Sequence, residues 1–182
     1  MMARPSLHLI GGGLRRVRAR KMLAAASIGL GLILITAFAK PVPLLVWNAS
    51  ASAPVGLYRL GRGAARTGDF VLVRMPKMIG QLADQRGYLP RGVPLVKRVA
   101  ALPGEHVCAF NDAIIIGGKI AARRLKTDSK GRRLPWWNEC RPLASDKVFL
   151  INGAAPDSFD SRYFGPVPAE NIVGRLVPLW TE

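Results

Sequence analysis

The chain opens with an abrupt change from basic to apolar residues, and this pattern predicts a membrane-spanning helix. From Met22 to Ala39 there are 18 residues without a charged side chain, between Lys21 and Lys40. At a helical rise of about 1.5 Å per residue, the run covers roughly 27 Å, close to the hydrocarbon thickness of a bilayer. The residues after Lys40 stay apolar, so we expect a transmembrane anchor over residues 22–46.

The residues before the apolar run predict its orientation. Residues 1–21 contain six basic residues and no acidic one, and the first acidic residue of the chain is Asp69. Basic flanks stay on the cytoplasmic side, so we expect residues 1–21 to be a cytoplasmic tail and residues 47–182 to be exported. A cleaved signal peptide is the alternative, because Ala37-Phe38-Ala39 resembles a small-x-small cleavage site. The apolar run exceeds a usual signal-peptide core of about 7–15 residues, which favours a retained anchor.

The exported part shows short apolar runs instead of helical periodicity. Gly, Pro, Asn or Asp bounds each run, as is typical of β-strands. The expected strands are Leu57–Leu60, Phe70–Arg74, Pro94–Ala100, Ala113–Ile116, Lys147–Ile151 and Ile172–Val177. We expect one short helix over Pro76–Gly87 and an exposed basic loop over Thr127–Arg133. The pattern predicts a mainly β domain of about 135 residues after the anchor.

The composition excludes several classes of protein. Residues with apolar side chains make up 49% of the chain, which excludes a fully disordered protein. With two cysteines no Cys-rich zinc module fits, and His8 and His106 are too far apart for a metal pair on one helix face. We therefore expect no metal or other cofactor, and a catalytic base would be a carboxylate or a lysine.

The net charge of +16 raises nucleic-acid binding as a function. Much of this charge lies in the tail before the anchor, and the rest is scattered apart from a cluster over Arg123–Arg133. That cluster has no recognisable nucleic-acid-binding motif around it. We therefore do not expect nucleic acid to be the main partner.

Cys108 and Cys140 are the two cysteines of the chain. An oxidising compartment allows an exported domain to join them in a disulfide. The bond would close a loop of about thirty residues and add about 3–4 kcal/mol to the free energy of unfolding in the loop-entropy model. Two unrelated buried thiols are the alternative.

One lysine is expected to lie among apolar side chains. Period-two alternation places Lys97 on the same face of a strand as Leu95 and Val99, with Arg98 on the other face. Burial disfavours the ammonium form and lowers the pKa, and a lysine that is neutral near pH 7 can act as a general base. A lysine whose amine extends from an edge strand to solvent is the alternative.

The segment just after the predicted anchor offers two serine hydroxyl groups. Ser52 precedes Pro54 and Gly56, which suit a tight exposed turn. Ser50 lies two residues away, on the same side of an extended chain. One hydroxyl could attack a carbonyl while the other donates a hydrogen bond to the developing oxyanion. From these residues alone, a Ser/Ala linker between anchor and domain is the alternative.

Four segments, in this order along the chain, carry a resemblance to one family. They are Ser52-Ala-Pro-Val-Gly-Leu-Tyr58, Thr67-Gly-Asp-Phe-Val-Leu-Val73, Val96-Lys-Arg-Val-Ala-Ala-Leu-Pro-Gly-Glu105 and Asp157-Ser-Phe-Asp-Ser-Arg-Tyr-Phe-Gly-Pro-Val-Pro168. They are similar to the nucleophile box, the strand after it, the lysine box and the C-terminal box of the Ser-Lys type I signal peptidases. Within that family they most resemble the conjugative-transfer peptidases of the TraF type, which process pilins.

The resemblance implies a mainly β, signal-peptidase-like catalytic domain after a single N-terminal transmembrane helix. It implies that Ser52 is the nucleophile and that Lys97 is the general base. Ser50 would supply a side-chain contact to the oxyanion beside the backbone N–H of Ser52. No cofactor is implied.

The C-terminal box implies three supporting roles. Ser158 would form a hydrogen bond with the lysine of the dyad and orient it. Asp160 and Arg162 would form a structural ion pair near the site, and their i, i+2 spacing allows both to face one way on an extended chain. Two positions depart from the general enzymes, which have Met where Ala53 stands and a Gly-Asp-Asn opening where this chain has Asn152-Gly-Ala-Ala.

The resemblance implies a membrane-bound serine endopeptidase that removes signal peptides from exported precursors. It would sit in the bacterial inner membrane with its catalytic domain in the periplasm. The subgroup implies a pilin-like precursor, the conjugative transfer machinery as a partner, and either hydrolysis or cyclisation of the product. A housekeeping signal peptidase I is one alternative. A non-enzymatic anchored β-domain that binds DNA or a secretion partner through Arg123–Arg133 is the other.

Overall fold

The computed structural model describes residues 11–38 and 43–182 of the chain. Residues 1–10 of the predicted basic tail and residues 39–42 of the predicted anchor, including the candidate cleavage position, lie outside the described residues. Contacts between residues divide the chain into two units, residues 1–42 and residues 43–182.

The described part of the first unit is one helix, α1, Gly11–Phe38. Arg18, Arg20 and Lys21 are followed in this helix by exposed apolar side chains such as Leu23 and Ile28. Among the helices of the described residues, none is both long and apolar enough to cross a membrane.

The second unit is mainly β, as predicted from the sequence. Its strands are β1 Leu45–Asn48, β2 Gly56–Leu60, β3 Phe70–Val73, β4 Leu95–Ala101, β5 His106–Phe110, β6 Ala113–Ile116, β7 Lys119–Arg123, β8 Cys140–Pro142, β9 Lys147–Leu150, β10 Val167–Pro168 and β11 Ile172–Thr181. Its helices are α2 Lys77–Gln85, α3 Ser161–Phe164 and a 3₁₀ turn over Ala169–Asn171. The six predicted strands and the predicted helix are confirmed to within a few residues.

The strands form two antiparallel sheets. The larger has the order β1-β2-β11-β3-β4-β9-β10, and the smaller has the order β7-β6-β5-β8. Sequence reasoning missed β1, β5, β7, β8 and β10. Strands β8 and β10 have only three and two residues and each contains a proline, which argues against a strand in a sequence.

Both faces of the larger sheet bury apolar side chains. Val71 and Val73 of β3 belong to one cluster with Val99, whereas Leu72 belongs to another cluster with Tyr58. Each fully buried side chain of this size stabilises the fold by about 1.5–3 kcal/mol. On the face that Val71, Val73 and Val99 share, a charged side chain of the neighbouring β4 is placed in an apolar environment.

The predicted loop over Thr127–Arg133 is less open than expected. A β-bridge joins Thr127 and Arg133 at its base. The Asp128 side chain is only 7% exposed, pairs with Arg132 at 2.7 Å and accepts a 2.5 Å hydrogen bond from the hydroxyl of Tyr88. The prediction of an exposed loop is therefore wrong for Asp128, whose partners lie within the loop and after α2.

Candidate active site

The segment with the two candidate hydroxyl groups is a turn between β1 and β2. The turn expected at Ser52 is therefore confirmed, whereas the extended chain expected between Ser50 and Ser52 is wrong. Asn48, the buried last residue of β1, holds this turn. Its Nδ2 donates to the carbonyl oxygens of Ser50, Ala53 and Pro54 at 3.0, 3.1 and 2.9 Å. Its Oδ1 accepts the backbone N–H of Ser50 at 3.2 Å, a local bond that asparagine makes readily. Sequence reasoning did not single out Asn48.

The turn still brings the two hydroxyl groups together. Ser50 Oγ lies 3.0 Å from Ser52 Oγ and accepts the backbone N–H of Ser52 at 3.3 Å. The buried Tyr58 of β2 donates its hydroxyl hydrogen to the carbonyl of Pro54 at 2.7 Å, which fixes the other end of the turn. The proximity that the spacing predicted is therefore achieved by a different backbone conformation.

Lys97 of β4 is only 2% exposed, so its amine does not extend to solvent. Its same-face neighbours Leu95 and Val99 pack in one apolar cluster, as the alternation predicted. Arg98 lies on the opposite face and is exposed. Burial lowers the pKa of Lys97 to about 8, although the Asp160 carboxylate acts in the opposite direction.

The amine of Lys97 lies between two serine hydroxyl groups. Its Nζ is 2.7 Å from Ser158 Oγ and 3.5 Å from Ser52 Oγ. The chain separations are 61 and 45 residues, so the site exists only in the folded domain. The structure thus brings together the three residues for which the resemblance implied chemistry or orientation of the base.

Asp160 and Arg162 form the expected ion pair, but on a helical rather than an extended backbone. Asp160 is the N-cap of α3, and its side chain accepts the backbone N–H of Arg162. The Arg162 guanidinium binds both carboxylate oxygens, at 2.8 and 3.0 Å, with the two side chains 1% and 0% exposed. It also donates to the carbonyl oxygens of Asn152, Ala155 and Pro156 at 2.9, 3.1 and 2.9 Å.

Asn152 is a further residue of the site, which the sequence showed only as a departure from the general enzymes. Its Oδ1 accepts the backbone N–H of Arg98 at 2.9 Å, and this fixes which way the amide points. Its Nδ2 therefore faces the carbonyl of Val96 at 3.1 Å and Ser52 Oγ at 3.5 Å. Only a folded backbone could have placed Asn152 beside Ser52, because the two are 100 residues apart.

A cavity of about 710 Å³ opens beside Ser52 and Lys97. Apolar side chains supply much of its wall, among them Leu89, Leu95 and Phe159. A cavity of this size and lining can hold an extended peptide with small or apolar side chains.

The remaining candidate residues lie elsewhere. Cys108 and Cys140 are directly opposite each other on β5 and β8 of the smaller sheet, and their sulfur atoms are bonded. Within the described ranges, no group of three or more His, Cys, Asp or Glu residues could hold a metal ion.

Part of the basic cluster over Arg123–Arg133 is engaged within the protein. Arg124 is buried, with its guanidinium 3.8 Å from the centre of the Trp136 ring. Arg123 pairs with Asp112 at 2.7 Å. These contacts reduce the number of cations that the cluster can offer to a partner.

Comparison with known proteins places the chain in a family. The model of the family described as "Signal peptidase, peptidase S26" matches residues 17–180. The conjugal transfer protein TraF of Agrobacterium fabrum is 34% identical over 148 residues, which cover 74% of this chain and 81% of that protein. A plasmid transfer protein TraF of Escherichia coli is 29% identical over 175 residues, 90% of this chain and 98% of that protein.

A solved structure is also similar. It is a signal peptidase I from Enterococcus faecalis, with a TM-score of 0.40 and 21% identity, covering 64% of this chain and 100% of that one. The family match spans all four of the segments that carried the resemblance. The chain belongs to the peptidase S26 family of signal peptidases.

Proposed function

We propose that the protein is a membrane-anchored serine endopeptidase whose nucleophile is Ser52 and whose general base is Lys97. One observation carries this proposal. A buried lysine with a pKa of about 8 lies with its amine 2.7 and 3.5 Å from two hydroxyl oxygens, one of them on the exposed turn at Ser52. Such a lysine holds a useful neutral fraction near pH 7 and can accept a proton from the attacking hydroxyl.

The reaction would proceed through an acyl-enzyme. Neutral Lys97 takes the hydroxyl proton of Ser52 as its Oγ attacks the scissile carbonyl carbon. The resulting ammonium then gives that proton to the leaving amine as the peptide C–N bond breaks. Lys97, neutral again, takes a proton from the water that attacks the ester and returns it to Ser52 Oγ as the ester C–O bond breaks, which releases the acid product and regenerates the Ser52 hydroxyl.

Ser50 and the backbone N–H of Ser52 would stabilise the negative oxygen of the tetrahedral intermediate. In the structure the backbone N–H of Ser52 donates to Ser50 Oγ at 3.3 Å, so both groups lie in the same small region beside the nucleophile. We infer that substrate replaces this mutual bond with two bonds to the oxyanion. Losing one such donor typically costs about 2.7–4 kcal/mol of transition-state stabilisation.

The proposed substrate is a precursor at the bacterial inner membrane, with the catalytic domain in the periplasm and residues 1–21 in the cytoplasm. The uncharged run from Met22 to Ala39 supports an anchor over residues 22–46, and Ser52 follows it closely. Two relatives are named transfer proteins TraF, which supports a pilin-like precursor of a conjugative transfer system. The lining of the cavity beside Lys97 suits the small and apolar residues that end a signal peptide.

The test is processing of a pilin-like precursor from the same source in membranes. Ser52→Ala and Lys97→Ala are expected to abolish cleavage, whereas the matched exposed substitutions Ser145→Ala and Lys119→Ala leave it unchanged. Normal cleavage by either dyad variant would overturn the proposal. Mass spectrometry of the product separates hydrolysis from cyclisation, because a cyclic product is lighter by one water. Equal cleavage of many unrelated precursors would indicate a housekeeping enzyme instead.

A further inference from the structure

A second cavity lies against the nucleophile, and the proposed reaction does not yet use it. It has a volume of about 360 Å³ and is lined by Ser52, Phe70, Arg98 and Asn152 among others. Ser52 and its neighbour Ala51 line both this cavity and the larger one. The two cavities therefore meet at the nucleophile, but Lys97 lines the larger one and Arg98 the smaller one.

The two cavities differ in their basic residues because of strand geometry. Lys97 and Arg98 are consecutive on β4, so their side chains leave the sheet on opposite faces. The Arg98 guanidinium stacks 4.3 Å from the centre of the Phe70 ring and donates to the carbonyl of Gly68 at 3.1 Å. Phe70 is directly opposite Arg98 in the pairing of β3 with β4, which holds the stem of the arginine in place.

Arg98 carries a charge that the described residues do not neutralise. The ion pairs among residues 11–38 and 43–182 involve other arginines and lysines, and none includes Arg98. Glu182 also lines the smaller cavity but forms no ion pair with this arginine. The guanidinium thus contacts the Phe70 ring with one face and the Gly68 carbonyl with one nitrogen. Arg98 nevertheless remains exposed.

We propose that the smaller cavity binds the first residues after the scissile bond and that Arg98 selects an acidic side chain there. The inference rests on the proposed peptidase function. A peptide whose carbonyl lies at Ser52 Oγ must extend from the nucleophile in both directions, by about 3.3 Å per residue when extended. The larger cavity suits the end of the signal peptide, so the smaller one is left for the released segment. A guanidinium recognises a carboxylate by geometry as well as by charge.

The expected effect is moderate, because Arg98 is exposed. One solvent-accessible ion pair would change relative kcat/KM by roughly fivefold. The experiment uses the full chain in membranes or detergent. The substrates are peptides that span the cleavage site of the pilin-like precursor. Glu, Gln or Lys is placed in turn at each of the first four positions after the scissile bond. We expect Glu to exceed Lys in kcat/KM at one or two of these positions.

The variants make the assignment specific to one side chain. Arg98→Gln should remove the preference, and Arg98→Glu should reverse it in favour of Lys. Arg62→Glu, an equal change of charge at another exposed position, should leave the preference as in the parent. An unchanged Glu/Lys ratio in Arg98→Gln, or a loss of preference in Arg62→Glu as well, would overturn the proposal.

A binding measurement separates this inference from the proposed function. The Ser52→Ala variant and the Ser52→Ala, Arg98→Glu double variant are each titrated with fluorescently labelled forms of the same peptides. The acidic peptide should bind about fivefold more tightly than the lysine peptide, and the order should reverse in the double variant. Failure of the parent to cleave any peptide would contradict the peptidase proposal. Equal affinities of Ser52→Ala for the acidic and lysine peptides would contradict the role of Arg98.

Discussion

Two of the buried basic side chains of the domain, Lys97 and Arg162, have different surroundings. Arg162 is 1% exposed and binds the Asp160 carboxylate through two nitrogens as well as four backbone carbonyl oxygens, that of Arg123 among them. Lys97 is 2% exposed, and within residues 11–38 and 43–182 its hydrogen-bond partners are the hydroxyl oxygens of Ser158 and Ser52. Burial alone is therefore nearly identical at the two positions, and the partners differ.

This difference accounts for two kinds of role. A buried cation that binds a carboxylate and several carbonyl groups fixes the backbone around it. A buried amine without a bonded carboxylate is easier to deprotonate, and the pKa of Lys97 falls to about 8. The contrast predicts that Arg162 stabilises the structure. It also predicts that Lys97 acts as the general base and that its burial lowers the free energy of unfolding.

The largest expected effect comes from replacing the amine by an apolar chain of similar length. Lys97→Met should lower kcat by about 10²–10⁴-fold, the usual contribution of a general base. It should also raise the free energy of unfolding at pH 7, because burial of the amine shifts its pKa from 10.5 to about 8. That shift corresponds to at most about 3 kcal/mol.

The pH dependence of that gain has a definite sign. The unfolded chain binds more protons at Lys97 than the folded chain between pH 8 and 10.5. The contribution of Lys97 to the free energy of unfolding of the parent therefore rises with pH across that window. The extra stability of Lys97→Met over the parent is lost across the same window. Urea unfolding at pH 7 and pH 10.5 measures it. A less stable Lys97→Met protein at pH 7 would contradict the contrast between the two cations.

The next effect tests the other cation. Arg162→Met leaves Asp160 buried without its partner and removes donors from four carbonyl groups, so we expect a loss of about 3–5 kcal/mol in the free energy of unfolding. The matched control is Arg123→Met, which breaks an ion pair with Asp112 whose side chains are 63% and 50% exposed. That change should cost about 1 kcal/mol or less. Equal losses in the two variants would show that burial of the pair has no special consequence.

The smallest expected effect concerns the hydroxyl group that binds the amine. Ser158 Oγ accepts a hydrogen bond from Lys97 Nζ at 2.7 Å, and such a bond favours the charged amine. Ser158→Ala should therefore lower the pKa of Lys97 further and move the acidic limb of the kcat/KM profile below about pH 8. The maximum rate should fall by about tenfold, because the amine loses its orientation.

A second buried serine provides the control for that experiment. Ser161 Oγ accepts the backbone N–H of Leu150 at 3.1 Å and makes no hydrogen bond to Lys97. Ser161→Ala should lower stability while the midpoint of the pH profile stays near that of the parent. A shift of the midpoint in Ser161→Ala equal to that in Ser158→Ala would mean that general loosening of the domain, and not the bond to Lys97, sets the pKa.

Much of the fold could be predicted from local patterns. Alternation around Lys97 indicated the strand, the buried face and the opposite direction of Arg98, because these features depend only on the two-residue period of a strand. The short strands β8 and β10 could not be predicted, since long-range pairing and not local preference makes them strands. The spacing of Asp160 and Arg162 was compatible with pairing on an extended chain, but the N-cap of α3 joins them instead.

The site was predictable where a family resemblance marked its residues and unpredictable where only the fold brings groups together. Asn48 carried no signal, because its bonds are to backbone carbonyl groups that any sequence possesses. Asn152 looked like a departure from a motif, yet its amide is fixed by the Arg98 N–H and points to Ser52.

Because Lys97 and Arg98 are adjacent on β4, the register of this strand determines both the burial of the base and the position of the proposed selectivity residue. Val71 is opposite Lys97 and Phe70 is opposite Arg98 in the pairing of β3 with β4. A slip of one residue would turn the guanidinium into the apolar interior and the amine out to solvent. Insertions or deletions within β4 would therefore eliminate the base and the proposed selectivity together. New substrate preferences in this scaffold would have to arise by substitution at Arg98, with the length of the strand unchanged.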